Sequence, residues 1–167
     1  MRFNGLIIAS ALLVACQRTE TPQEVDARID AESKAVRAEL DAKSATLARF
    51  ESAGAFDSAA TLLTTDHHSM PPNTPAMSGR ENWLKFTNGL KATGTFNITT
   101  TTESVIANGP IAVQTGHAVL AFTPGPGAPK GAKASTDTVK YMWQWRKVNG
   151  SWLIAQATWN SDLTPKP

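Results

Sequence analysis

The apolar residues of this chain change period at Gly94, and that change limits the folds open to it. From Glu24 to Ser52 there is neither proline nor glycine, and Ala, Glu, Lys, Arg and Leu dominate. These are good helix formers. Val25, Ile29, Val36, Leu40, Leu47 and Phe50 recur at spacings of three, four and seven, one stripe of an amphipathic helix. After Gly94 the period is two. "TFNITTTTESVIA" is rich in Thr, with Phe96 and Ile98 alternating with polar residues, as a half-buried strand requires. Helices first and strands afterwards predict an α+β fold, with the sheet packed on three N-terminal helices.

The punctuation supports this division. Gly54 ends the long helix. A short second helix is expected over roughly Asp57 to Leu63, with Asp57 as its N-cap, Ala60 and Leu63 facing inward and Phe56 packing just ahead. Ser78 and Glu81 have capping-box spacing for a third helix, whose buried face is Trp83, Phe86 and Leu90. Asn108-Gly109-Pro110 turns the chain between two strands. "TPGPGAPKGAKAST" then forms a long mobile loop, and Asn149-Gly150 closes a final hairpin. The expected sheet therefore has about four strands in antiparallel succession.

The final hairpin can be paired from sequence. A two-residue turn sets Val148 opposite Ser151, Trp145 opposite Ile154, Trp143 opposite Gln156 and Tyr141 opposite Thr158. One face then carries Tyr141, Trp143, Trp145, Trp152, Ile154, Gln156, Thr158 and Asn160. The other carries Met142, Gln144, Arg146, Leu153, Ala155, Ala157 and Trp159. Both faces are partly apolar. Helices cover one, and a second copy of the chain is the expected cover for the other, so a homodimer is expected.

The chain ends and the composition narrow the class further. "MRFNGLIIASALLVAC" has one cation, Arg2, followed by an apolar run too short to span a bilayer, which takes about 20 residues. It has the layout of a secretory signal. Leu13-Val14-Ala15-Cys16 resembles the bacterial lipobox, which implies cleavage before Cys16 and lipid attachment there. Residues 1–15 are thus expected to be a signal peptide, 16–24 a tether and 25–165 the domain. Gln17, where an aspartate would resemble an inner-membrane retention signal, favours the outer membrane of a Gram-negative envelope, facing the periplasm. Cys16 is the only cysteine, so no internal disulfide can form. The apolar fraction of 41% and charged fraction of 18% suit an ordinary globular core. A net charge of +2 with scattered Lys and Arg argues against nucleic acid as a partner.

Three segments, "ESAGAFDSAA", "TTDHHSMPPNTPAMSGRENW" and "WRKVNGSWLIAQATWNSD", together resemble the nuclear transport factor 2-like superfamily in its SnoaL-like, ketosteroid-isomerase-like branch. The resemblance spans residues 25–163. It implies a strongly curved, cone-shaped antiparallel sheet wrapped on three helices, with a pocket between the helices and the concave face. Isomerases, cyclases, dehydratases and non-catalytic binders share that fold, so it leaves function open.

In such a fold the segment after the second helix passes the pocket mouth. Asp66 and His68 would point the same way there and His67 the opposite way. That alternation permits a carboxylate–imidazole pair for acid–base chemistry. The alternative is that Asp66 caps a turn and both histidines are surface residues. Neither a metal nor a cofactor is expected: adjacent histidines on a strand diverge, and His117 lies on a distant strand. The "PGPGAPKGAK" loop lacks phosphate-loop spacing and joins strand to strand. Ligand-binding candidates are Met70, Trp83, Tyr141 and Trp143, with Gln156 and Asn160 as polar groups on the favoured hairpin face and Trp159 at the rim. Three functions fit these features. The first is a lipid-anchored periplasmic protein that binds a small, largely apolar molecule. The second is an isomerase or hydratase using Asp66 as base. The third is an interaction module whose sheet face docks a partner.

Overall fold

The computed structural model describes residues 19–163; Cys16 and the expected signal lie outside them. Among these residues, three helices and six strands follow in the order α1 (Pro22–Ser52), α2 (Phe56–Ala60), β1 (Leu63–Met70), β2 (Met77–Ser78), α3 (Arg80–Thr93), β3 (Gly94–Asn108), β4 (Ile111–Pro124), β5 (Ser135–Val148) and β6 (Ser151–Ser161). The fold is α+β, with the helices on a curved, unclosed sheet of order β2-β1-β6-β5-β4-β3.

The helix starts follow local chemistry that differs from the expected caps. α1 begins at Pro22, so the end of the expected tether is its first turn. Thr21 and Glu24 form the capping box here: the Thr21 amide donates to Glu24 Oε2 at 2.8 Å, and the Glu24 amide donates to Thr21 Oγ1 at 3.3 Å. The Ser78–Glu81 box does not form. Gly79 is the N-cap of α3, with φ 88° and no side-chain cap, because Ser78 belongs to β2 and its Oγ lies 3.0 Å from His68 Nδ1. Asp57 sits in the first turn of α2, behind Ala55 at the N-cap. That helix stops at Ala60 because the chain joins the sheet, where the Ile154 amide donates to the Leu62 carbonyl at 2.9 Å.

Two strands were not anticipated. β1 runs parallel to β6 and antiparallel to β2, so the sheet is mixed at one end. Period-two reading detects β3 to β6 because each has long alternation. β1 is eight residues with a register shift between Leu63 and His68, which breaks the alternation.

The last hairpin matches the expected pairing near its turn and departs from it further on. Asn149 and Gly150 have φ of 50° and 83°, and Val148 pairs with Ser151 and Trp145 with Ile154. A bulge at Ala155 then shifts the register, so Trp143 pairs with Ala157 and Tyr141 with Trp159. One extra residue reverses every side chain beyond it. Ala157 and Trp159 therefore turn toward the core cluster, while Gln156 and Asn160 turn out to solvent.

The core lies between α1 and the inner sheet face. Trp145, Trp152, Leu40, Leu63 and Ile154 are fully buried there. Gln114 is buried among them. Its Oε1 accepts from Trp145 Nε1 at 2.9 Å, and its Nε2 donates to Thr102 Oγ1 at 2.7 Å. Bonding at both ends removes the desolvation penalty of a central amide. Among the described residues no helix is long and apolar enough to cross a membrane.

Candidate functional site

The concave side of the sheet encloses a cavity of about 280 Å³ under α1, α2 and α3. The walls come from all layers: Leu47 of α1, Phe56 of α2, Trp83, Phe86 and Leu90 of α3, and Phe96, Tyr141, Trp143 and Trp159 of the strands. Pro71, Pro72 and Thr74 of the turn between β1 and β2 complete the lining. Tyr141 and Trp143 stack with centroids 4.3 Å apart, and Phe56 meets Trp83 edge-on at 6.1 Å. Gly116, paired with Tyr141, leaves room for that ring. A Cβ there would lie 2.1 Å from the Thr101 carbonyl oxygen and 2.9 Å from the Tyr141 hydroxyl.

Few polar groups face this space. His67 is 1% exposed. Its Nδ1 lies 3.0 Å from the Ile154 carbonyl oxygen, which can only accept, so the bond assigns the proton to Nδ1. Nε2 is then a bare acceptor with no partner among the described residues. Burial pushes the ring's pKa down, so it is neutral. Ser69, on the same strand face, is fully buried, and its Oγ also lacks a partner among the described residues. Glu51 continues the buried α1 stripe of Leu40, Ser44 and Leu47 at spacings of four and three. The residue as a whole is half-buried, yet enough protein surrounds its carboxyl that desolvation pushes the pKa up to about 7. Burial also pushes the Tyr141 phenol up.

The structure sorts the expected residues into two groups. Trp83, Tyr141, Trp143 and Trp159 meet at the cavity, Trp159 as part of the wall because of the Ala155 bulge. Asp66, His68, Met70, Gln156 and Asn160 do not line it. Asp66 and His68 do share a side opposite His67, but His67 is the one that faces in. Asp66 pairs with Arg146 in a groove that also includes Arg80. The hydrogen bond from Arg146 is the largest cause holding its carboxyl at about 2, which makes it a poor base. His68 is tied to Ser78, and the Met70 side chain is exposed. Gln156 and Asn160 are exposed through the register shift. Among the described residues no three His, Cys, Asp or Glu side chains gather where one ion could be held.

His67, Ser69 and Glu51 were missed. The α1 stripe was a usable signal for Glu51, since residues 40, 44, 47 and 51 share a face. For β1 no such signal exists, because Leu63 and Met70, its only large apolar residues, fall on opposite parities.

No family model and no curated protein matches the chain. Solved structures do. A ketosteroid isomerase-like protein from Erwinia carotovora atroseptica superposes with a TM-score of 0.66 at 16% identity, over 74% of this chain and 93% of that one. A nuclear transport factor 2-like superfamily protein from Salmonella enterica serovar Typhimurium gives 0.68 at 11% identity, over 80% and 95%. The hexachlorocyclohexane dehydrochlorinase LinA-type3 from Novosphingobium barchaimii gives 0.66 at 12% identity, over 77% and 88%. With its helices set on the concave face of an open six-stranded sheet, the chain has the nuclear transport factor 2-like, ketosteroid isomerase-like fold.

Proposed function

We propose that this protein binds a small, largely apolar molecule in the concave cavity. One observation carries the reading: a cavity of about 280 Å³ walled by four tryptophan and tyrosine side chains with only a few polar groups among them. Enclosed apolar space with sparse, placed polar atoms is the usual character of a small-molecule site. Native mass spectrometry of freshly isolated protein tests it by revealing a co-purifying molecule. Tryptophan fluorescence tests it independently, because Trp83, Trp143 and Trp159 all line the space. A cavity that takes up no apolar probe at millimolar concentration would sink the reading.

A second reading is proton-transfer catalysis on the bound molecule, now with Glu51 and His67 in place of Asp66. It is favoured by a carboxyl near pKa 7 and a free imidazole nitrogen lining one cavity. A base poised near the working pH is what general acid–base catalysis needs. One solved structure of the same fold is a hexachlorocyclohexane dehydrochlorinase. Turnover of the co-purifying molecule, lost in Glu51→Gln while binding persists, would support catalysis. Binding without turnover would leave the first reading alone.

The lipobox-like Leu13-Val14-Ala15-Cys16 supports an anchored, periplasm-facing location. Cys16→Ser should then leave the fold intact and move the protein to the soluble fraction, since the thiol is the acyl acceptor. A variant that stays tightly membrane-bound would count against anchoring.

A further inference from the structure

Two buried polar atoms on one face of β1 have no partner among the described residues: Nε2 of His67 and Oγ of Ser69. The residues stand two apart on a strand, so they share a face, and both line the cavity. Their lining neighbours Leu63, Pro71, Ile154 and Ala157 are apolar. Because Nδ1 is committed to the Ile154 carbonyl, Nε2 can only accept. The Ser69 hydroxyl can donate as well as accept.

These roles select a guest. A hydrocarbon leaves both atoms unmet, a ketone or ether can accept from Ser69 but cannot donate to His67, and an ammonium can donate but cannot accept. A carboxylate would bring an uncompensated charge, since the imidazole beside it is neutral. A hydroxyl group does both jobs with one atom. Resting on the apolar-ligand reading above, we propose that the cavity takes an apolar alcohol or phenol. Its hydroxyl donates to His67 Nε2 and accepts from Ser69 Oγ, and its hydrocarbon body lies against Trp83, Tyr141, Trp143 and Trp159. Specificity in such a site comes from the hydroxyl, because an analogue lacking it leaves two buried groups unpaired.

Calorimetric titration with 2-naphthol, 2-methoxynaphthalene and 2-methylnaphthalene tests this. The three share a ring system, but only the first can donate. 2-Naphthol should bind about tenfold or more tightly than either analogue. His67→Asn retains a donor near the position of Nδ1 and removes Nε2. It should bring 2-naphthol down to the affinity that 2-methylnaphthalene has for the same variant. Ser69→Ala, a smaller change that spares the Ile154 bond, should remove part of the preference. Equal binding of all three compounds to the unaltered protein would overturn the hydroxyl bridge and spare the apolar-ligand reading. A preference that survives in both variants would also overturn the bridge. Failure of all three to bind would overturn both proposals together.

Discussion

His67 donates from Nδ1 to the carbonyl oxygen of Ile154 at 3.0 Å, a side-chain bond from β1 to the parallel neighbour β6. The bond holds the ring against the sheet in one tautomer. It also stands beside the Ala155 bulge, so the residue that carries the free Nε2 and the bulge that turns Trp159 inward occupy adjacent parts of one wall.

Two groups in this wall give stability opposite pH dependences. His67 has a folded pKa below its ordinary 6.5, chiefly through burial. The unfolded state therefore binds more protons below that value. Its contribution is complete above about pH 6.5 and is lost as pH falls from there through the folded pKa. Glu51 is raised from 4.5 to about 7 by burial. Its contribution is complete below about pH 4.5 and is lost as pH rises through about 7. Glu51→Gln should therefore melt about 2–4 °C higher than the parent at pH 8 and at the same temperature near pH 4. Melting curves followed by circular dichroism check this, and equal midpoints at pH 8 would mean that the carboxyl is well solvated.

Asp66→Asn should leave ligand binding and any turnover unchanged. The carboxylate is exposed, paired with Arg146 and absent from the cavity lining. Such surface pairs contribute little. Titration of the variant with a cavity ligand is the check, and a tenfold loss of affinity would bring Asp66 back into the site.

Gln114→Met should destabilise the fold by about 2–4 kcal/mol. The change preserves volume but strips the acceptor from the Trp145 indole and the donor from the Thr102 hydroxyl. Trp145 is fully buried, so its indole N–H is shut off from bulk solvent. Urea unfolding measures the loss, and a cost below about 1 kcal/mol would mean that relaxation or solvent supplies a new partner.

Ile106, Ile111, Val119 and Met142 are exposed on the outer face of the sheet. We propose that a second copy covers them, as the two apolar hairpin faces suggested. Sedimentation velocity at tens of micromolar, about the range where a weak dimer populates, should show a dimer, and Met142→Lys should shift it toward monomer. A monomer throughout that range would refute the pairing.

Much of the architecture was legible because it is written in local periodicity. The stripe from Val25 to Phe50 specifies α1, alternation after Gly94 specifies β3 to β6, and Asn149-Gly150 specifies the last turn. Each rests on interactions between residues close in the chain, or on one face repeating against a continuous core. Trp83, Tyr141 and Trp143 were grouped by the parity of long, regular elements, but which hairpin face turns toward the cavity was not written there. Only the tertiary structure decided the polar members. Which side of β1 faces in depends on its pairing with β6, more than 80 residues away, and on the shift between Leu63 and His68. That contact turns His67 and Ser69 inward and sends Asp66 to Arg146. The bulge at Ala155 is equally silent in sequence, because Ile154 and Ala155 are both apolar and suit either face. Parity along a strand is a local property, but the assignment of a parity to the core is made by the strand's partners.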